Sequence, residues 1–172
     1  PGTTWSFVSS SYRANTAIKT DGTLWVWGWN NSGKLGLNEG PGNEKSSPCQ
    51  IPGTTWSKSY VGRSSMLATK TDGTMWAWGS NEYGELGQNS RTYYSSPIQI
   101  PGTTWSGVAC HEFGGIATKT DNTLWTWGSN EYGQLGVNSQ GDDRSSPVQV
   151  PGTWSLLKIS GANKYVAAMK EV

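Results

Sequence analysis

The sequence predicts an all-β fold, a β-propeller built from three full four-stranded repeats and half of a fourth. Three observations carry that expectation. The segment Thr20 to Gly28, Thr-Asp-Gly-Thr-Leu-Trp-Val-Trp-Gly, returns at Thr71 to Gly79 and Thr120 to Gly128, each time followed by Gly-x-Leu-Gly. A second marker, Pro-Gly-Thr-Thr-Trp, begins at Pro1, Pro52 and Pro101 and returns shortened at Pro151, giving spacings of 51, 49 and 50 residues. A period near 50 belongs to propeller blades and related arrays. Finally, turn residues arrive every few positions and leave no room for an apolar helical face. The 172 residues thus read as one repeat domain, with units at 1–51, 52–100, 101–150 and a partial one at 151–172.

Within a unit the first strand follows the Pro-Gly turn, at Trp5 to Ser10, Trp56 to Tyr60, Trp105 to Cys110 and Trp154 to Ile159. The second runs over Thr16 to Thr20, Met66 to Thr71, Gly115 to Thr120 and Tyr165 to Lys170. Asp21-Gly22, Asp72-Gly73 and Asp121-Asn122 then suggest two-residue type I′ hairpins, in which both central residues take positive φ. In the third strand, Leu24-Trp25-Val26-Trp27, a period of two sends the tryptophans to one face and Leu24 and Val26 to the other. Both faces are apolar, so the strand must be covered on both sides, as a blade is between neighbours. Trp25, Trp27, Trp76, Trp78, Trp125 and Trp127 are therefore expected in the core. The fourth strand, Pro48 to Ile51, Pro97 to Ile100 and Pro147 to Val150, starts on proline, which suits a blade edge.

Composition narrows the function classes. Thirteen Lys and Arg stand against twelve Asp and Glu, without runs, for a net charge of +1, so no electrostatic footprint for nucleic acid is present. No apolar run reaches the roughly 18 residues of a membrane span. Cys49 and Cys110 form no CxxC pair and read as small buried hydrophobes. His111 is the one histidine, so a triad with Asp142, Asp143 or Glu112 has a single candidate base. No enzyme, metal site or cofactor is expected. Asn30-Asn31-Ser32 matches a glycosylation acceptor by pattern.

Recognition is expected where the copies differ: Leu37 to Lys45, Gln88 to Tyr94 and Val137 to Arg144. Trp29, where the other copies carry Ser80 and Ser129, joins Tyr12, Arg13, Arg63, Arg91, Tyr93, Tyr94, His111 and Arg144 as candidate binding residues. Tryptophan, tyrosine and arginine are the side chains enriched at binding hot spots.

The string Asp-Gly-Thr-Leu-Trp-x-Trp-Gly-x-Asn-x-x-Gly-x-Leu-Gly, followed by Ser-Pro-x-Gln-Ile, resembles the repeat of the RCC1 family, the regulator of chromosome condensation, and more closely its bacterial and viral RCC1-like members. The resemblance implies a seven-bladed propeller. Its nuclear members are exchange factors for a small GTPase, acting through loop insertions and acidic residues without counterpart here. The leading functional expectation is accordingly a non-enzymatic binding or structural module of a virion, adhesin or cell-surface assembly. A GTPase regulator and a glycan-binding propeller are the alternatives. The count of fourteen expected strands falls short of the twenty-eight of seven blades, which leaves an excerpt of a longer chain or an open propeller covered by partners. Protein partners or a second copy are expected at Pro1 to Ser10 and Trp154 to Val172.

Overall fold

The computed structural model describes residues 4–152, 154, 159–162 and 165–168, the side chains of the last two segments excepted. The first blade holds β1 (Trp5–Ser11), β2 (Ala14–Lys19), β3 (Leu24–Gly28) and β4 (Lys45–Ile51). The second holds β5 (Trp56–Val61), β6 (Ser65–Lys70), β7 (Met75–Gly79) and β8 (Tyr94–Ile100). The third holds β9 (Trp105–His111), β10 (Gly114–Lys119), β11 (Leu124–Gly128) and β12 (Arg144–Val150). A two-stranded sheet follows, β13 (Ile159–Ala162) paired with β14 (Tyr165–Ala168). Each full blade is antiparallel in sequence order. The blades meet along their first strands, β1 against β5, β5 against β9 and β9 against β13. The expected ends of the half blade, 155–158 and 169–172, and the first three residues of the chain lie outside the described residues.

Two local expectations are corrected. The Asp-Gly turns are three-residue loops, a type I turn closed by Gly22 N–H to Lys19 O at 2.9 Å, with Gly22 alone at positive φ. This is the type I plus bulge hairpin, and its aspartate has a different task. Asp21 Oδ1 accepts the Thr23 N–H at 3.0 Å and the Thr23 hydroxyl at 2.7 Å, and Thr23 Oγ1 in turn accepts the Trp25 indole N–H at 2.9 Å. The same chain runs through Asp72, Thr74 and Trp76, and through Asp121, Thr123 and Trp125. The type I′ hairpin lies elsewhere, at Tyr12-Arg13, whose φ values of 43° and 62° are both positive. The second correction concerns proline. The fourth strands begin three residues before Pro48, Pro97 and Pro147, which sit inside the outer edge strand at its register shift, where no ladder N–H is missed.

Blades join by a repeated socket. The Leu24 and Val26 face of the first packs on Trp56, Met66, Ala68 and Trp78 of the second. The Met75 and Ala77 face of the second packs on Trp105, Ala117 and Trp127 of the third. Trp78 Nε1 donates to Lys34 O at 2.9 Å and Trp127 Nε1 to Glu85 O at 2.7 Å, each carbonyl belonging to the Gly-x-Leu-Gly turn of the preceding blade. Gly36 has to lack a side chain, because a Cβ would stand 2.6 Å from the Trp78 indole nitrogen. Below, Trp56 N–H bonds Gly22 O and Trp105 N–H bonds Gly73 O, both at 3.0 Å. Trp78 and Trp127 are fully buried. Trp27, at the same strand position in the first blade, is only partly buried, since no described blade lies against its face; Val8, which lines a surface recess with it, is 70% exposed, and Trp5 on the same edge strand is 42% exposed. Trp25, Trp76 and Trp125 are also half-buried, each with a lysine ammonium 4.1–4.3 Å from its ring. Cys110 is buried as expected, but Cys49 lies half-buried on the edge strand β4.

Candidate functional site

Antiparallel pairing decides which loops can cooperate. Ala14 pairs with Gly28, so the β1–β2 hairpin and the β3–β4 loop emerge at the same end of the blade, and the same holds in the other two. All three segments in which the copies diverge therefore lie on one face, here called the upper face. The β2–β3 turns and Pro-Gly connectors occupy the lower one.

One asparagine per blade builds each upper loop. Asn30 Oδ1 accepts the Leu35 N–H at 3.0 Å while its Nδ2 donates to Gly40 O at 3.0 Å. Asn81 and Asn130 do the same, joining Leu86 and Leu135 to the carbonyls of Ser90 and Ser139. Asn30 is thus a buried brace, and the glycosylation pattern places its target amide where no glycan can be attached. From that brace the loops reach onto the following blade, Asn38 N–H to Ser95 O at 2.8 Å and Asn89 N–H to Ser145 O at 2.7 Å.

Four of the candidate residues converge at the hairpin tips. Arg63 Nη1 bonds Glu112 Oε1 at 2.5 Å, and the Tyr12 hydroxyl donates to the same oxygen at 3.2 Å. The Arg63 guanidinium lies 5.8 Å from the Tyr12 ring and 5.2 Å from that of Phe113, and Phe113 packs on Tyr83 with ring centroids 4.9 Å apart. Arg13 stands 6.0 Å from the Trp29 ring. Beneath them Lys34 is fully buried, its Nζ donating to Tyr12 O at 2.9 Å and Arg63 O at 3.0 Å, and burial lowers its pKa from 10.5 to about 8. This one ammonium ties the tips of two adjacent blades. The hairpin it holds is strained, because Tyr12 and Arg13 occupy the left-handed region at roughly 1–2 kcal/mol each.

Of the remaining candidates, Tyr93 shares a cavity with Arg63 and Phe113, and the others stand apart from that group. Arg91 donates to Glu82 O at 2.7 Å and approaches Asp143 at 3.4 Å, and exposed Tyr93 lines cavities of ≈ 290 and ≈ 250 Å³. Tyr94 and Arg144 are half-buried at the first position of the fourth strand, opposite Gly79 and Gly128, where the first blade has Lys45. His111 is buried at the end of β9, and burial lowers its pKa from 6.5 to about 4. Among the described residues, no three His, Cys, Asp or Glu side chains are grouped to hold a metal ion, and no helix is long and apolar enough to cross a membrane.

Sequence reasoning missed Lys34, Tyr83, Glu85 and Phe113. A signal for two of them was present: the variable position of Gly-x-Leu-Gly reads Lys34, Glu85 and Gln134 inside an otherwise constant turn. Glu85 is 2% exposed, and burial foremost raises its pKa from 4.5 to about 7.

Comparison with known proteins bears on this arrangement. The family model described as the regulator of chromosome condensation (RCC1) repeat matches residues 21–68, 72–117 and 121–169. The chain belongs to the RCC1 repeat family. Comparison with curated proteins returned no sequence match. Among solved structures, human WBSCR16 is similar over 98% of this chain and 45% of that one, at a TM-score of 0.84 and 19% identity. Prp20p from Saccharomyces cerevisiae, described with its binding to Gsp1p and histones, is similar over 98% and 44%, at 0.85 and 18%. Yeast RCC1 (Prp20) bound to Kap60 gives 96% and 39%, at 0.76 and 19%. The chain spans less than half the length of these structures, and at such identities the likeness is one of fold. The RCC1-type blade is what they share.

Proposed function

We propose that this RCC1-repeat chain is a non-enzymatic protein-binding module that presents its upper face to a partner. The observation that carries the reading is the convergence of Tyr12, Arg13, Trp29, Arg63, Tyr93 and Phe113 on one face from loops of three blades. Hot spots are built from such aromatic and arginine side chains. The buried asparagines and Lys34 hold the loops in place before binding, which lowers the ordering cost of association. Similar folds point the same way, since Prp20p is described with Gsp1p, histones and Kap60. A second contact is proposed at the first blade, where the Trp27 socket face is uncovered and Val8 is 70% exposed; another copy of the chain or a partner blade is the expected cover. A virion, adhesin or cell-surface assembly is the proposed setting.

The test exchanges the three loops, 37–45, 88–94 and 137–144, for one another. Partner capture from the native source is expected to fall while melting is retained. Unchanged capture overturns the reading. A nucleotide-exchange assay on small GTPases and a glycan array separate the two other readings, and neither is expected to give a signal.

A further inference from the structure

A cavity of ≈ 290 Å³ opens on the upper face between the first three blades, lined among others by Arg63, Ser64, Ser80, Glu82, Glu85 and Phe113. Tyr83 and Tyr93 complete its aromatic wall. Its size lies at the lower end of small-molecule sites, about 300 Å³, and suits a single side chain. The charges around it are unevenly satisfied. Arg63 is tied to Glu112 and Arg91 to Asp143, whereas Glu82 and Glu85 have no cationic partner among the described residues. Glu82, Glu85, Asp143 and Glu131 all raise the pKa of the Tyr83 phenol through their charge, and of these Glu82 and Glu85 line the cavity itself. The buried Glu85 carboxylate accepts the Tyr83 N–H at 2.8 Å through Oε2. With Arg63 paired to Glu112, the two carboxyl groups and the aromatic wall of this recess favour an organic cation over an anion. The wall already shows what it accepts, since Phe113 carries the guanidinium of Arg63 at 5.2 Å.

We propose that this cavity receives an arginine side chain of the protein partner, the guanidinium stacking on the Tyr83 ring and pairing with Glu82 and Glu85. A planar guanidinium both stacks on rings and offers forked donors to carboxylates, which an ammonium does not. The proposal rests on the reading of the upper face as a protein-binding surface.

The test titrates N-acetyl-L-arginine methylamide into the ¹⁵N-labelled chain, with the citrulline analogue as its neutral isostere. Saturable shifts are expected at the amides of Ser64, Ser80, Tyr83 and Phe113 with arginine. Citrulline should give at least tenfold weaker binding, and so should arginine with the Glu82→Gln/Glu85→Gln protein. Gln134 fills the Glu85 position in the third blade, so that variant fits the fold, and a melting curve verifies it. Equal shifts with citrulline, undiminished binding by the double variant, or arginine shifts confined to other residues would overturn the proposal. Failure here with a positive loop exchange removes the pocket alone. Arginine binding with a silent loop exchange removes the recognition surface alone.

Discussion

Replacing Glu85 by glutamine should stabilise the protein, and by an amount that depends on pH in a defined sense. Its carboxyl is 2% exposed and has a folded pKa of about 7 against 4.5 when unfolded. Burial is the main cause, with Glu82 and Asp143 adding to it, against opposing backbone N–H bonds. A folded pKa above the unfolded one means that the native state holds the proton longer. The stability this confers is complete below pH 4.5, declines as pH rises toward 7, and is gone above. At about 1.4 kcal/mol per pKa unit the penalty for an ionised Glu85 at pH 8 is about 3 kcal/mol. Glutamine carries no such penalty, and Gln134 shows that the turn accepts it. Urea unfolding of both proteins at pH 4.5, 5.5, 6.5 and 8 should give a stability difference near zero at the lowest pH that grows to about 2–3 kcal/mol in favour of Glu85→Gln. His111 titrates in the opposite sense, its folded pKa of about 4 lying below 6.5, so its share of stability is present above pH 6.5 and lost as pH falls through 4. Being common to both proteins, it cancels in the difference. A difference that is constant with pH, or a variant less stable at pH 8, would refute the account of Glu85 as a buried, charge-averse carboxyl.

Trp78→Ala should cost roughly 3–5 kcal/mol, as for a fully buried aromatic, whereas Trp27→Ala should cost roughly 1–2 kcal/mol because no blade among the described residues covers its face; equal losses in thermal melting would mean that Trp27 is covered too. Gly73→Ala places a Cβ 2.2 Å from Thr103 O of the next blade, while Gly42→Ala has open space around a similarly positive φ. The second should cost roughly 1–2 kcal/mol of backbone strain and the first clearly more, and matching melting temperatures would dismiss the interblade contact. Asn81→Leu removes the brace between Leu86 and the carbonyls of Ser90 and Thr92, and faster amide exchange confined to residues 84–93 is expected, with no change counting against the brace.

Much of this architecture is legible in the sequence because each blade repeats its own chemistry. The 50-residue period and the Trp-x-Trp strands suffice for blades covered on both faces, and the divergent loops fall on one face as antiparallel pairing requires. Turn type was not legible: Asp-Gly serves type I′ and type I plus bulge hairpins alike, and the deciding feature is the Asp21 carboxylate turned back on Thr23. The Tyr12-Arg13 hairpin carries no glycine or asparagine to announce two positive φ values. Nor could Trp27 be told from Trp78, whose strands match, since the difference lies in what packs against them. The site was the least legible part. Arg63 meets Glu112 across 49 residues and Lys34 meets Arg63 across 29, contacts set by the stacking of blades.

The central claim, that recognition belongs to the upper face, is tested most directly by photo-crosslinking in the native source. A benzophenone amino acid replaces Tyr93 on the upper face in one protein and Asp72, in a lower-face turn, in another. The account predicts a specific partner adduct from position 93 and none from position 72. An adduct from 72 with none from 93 would contradict it.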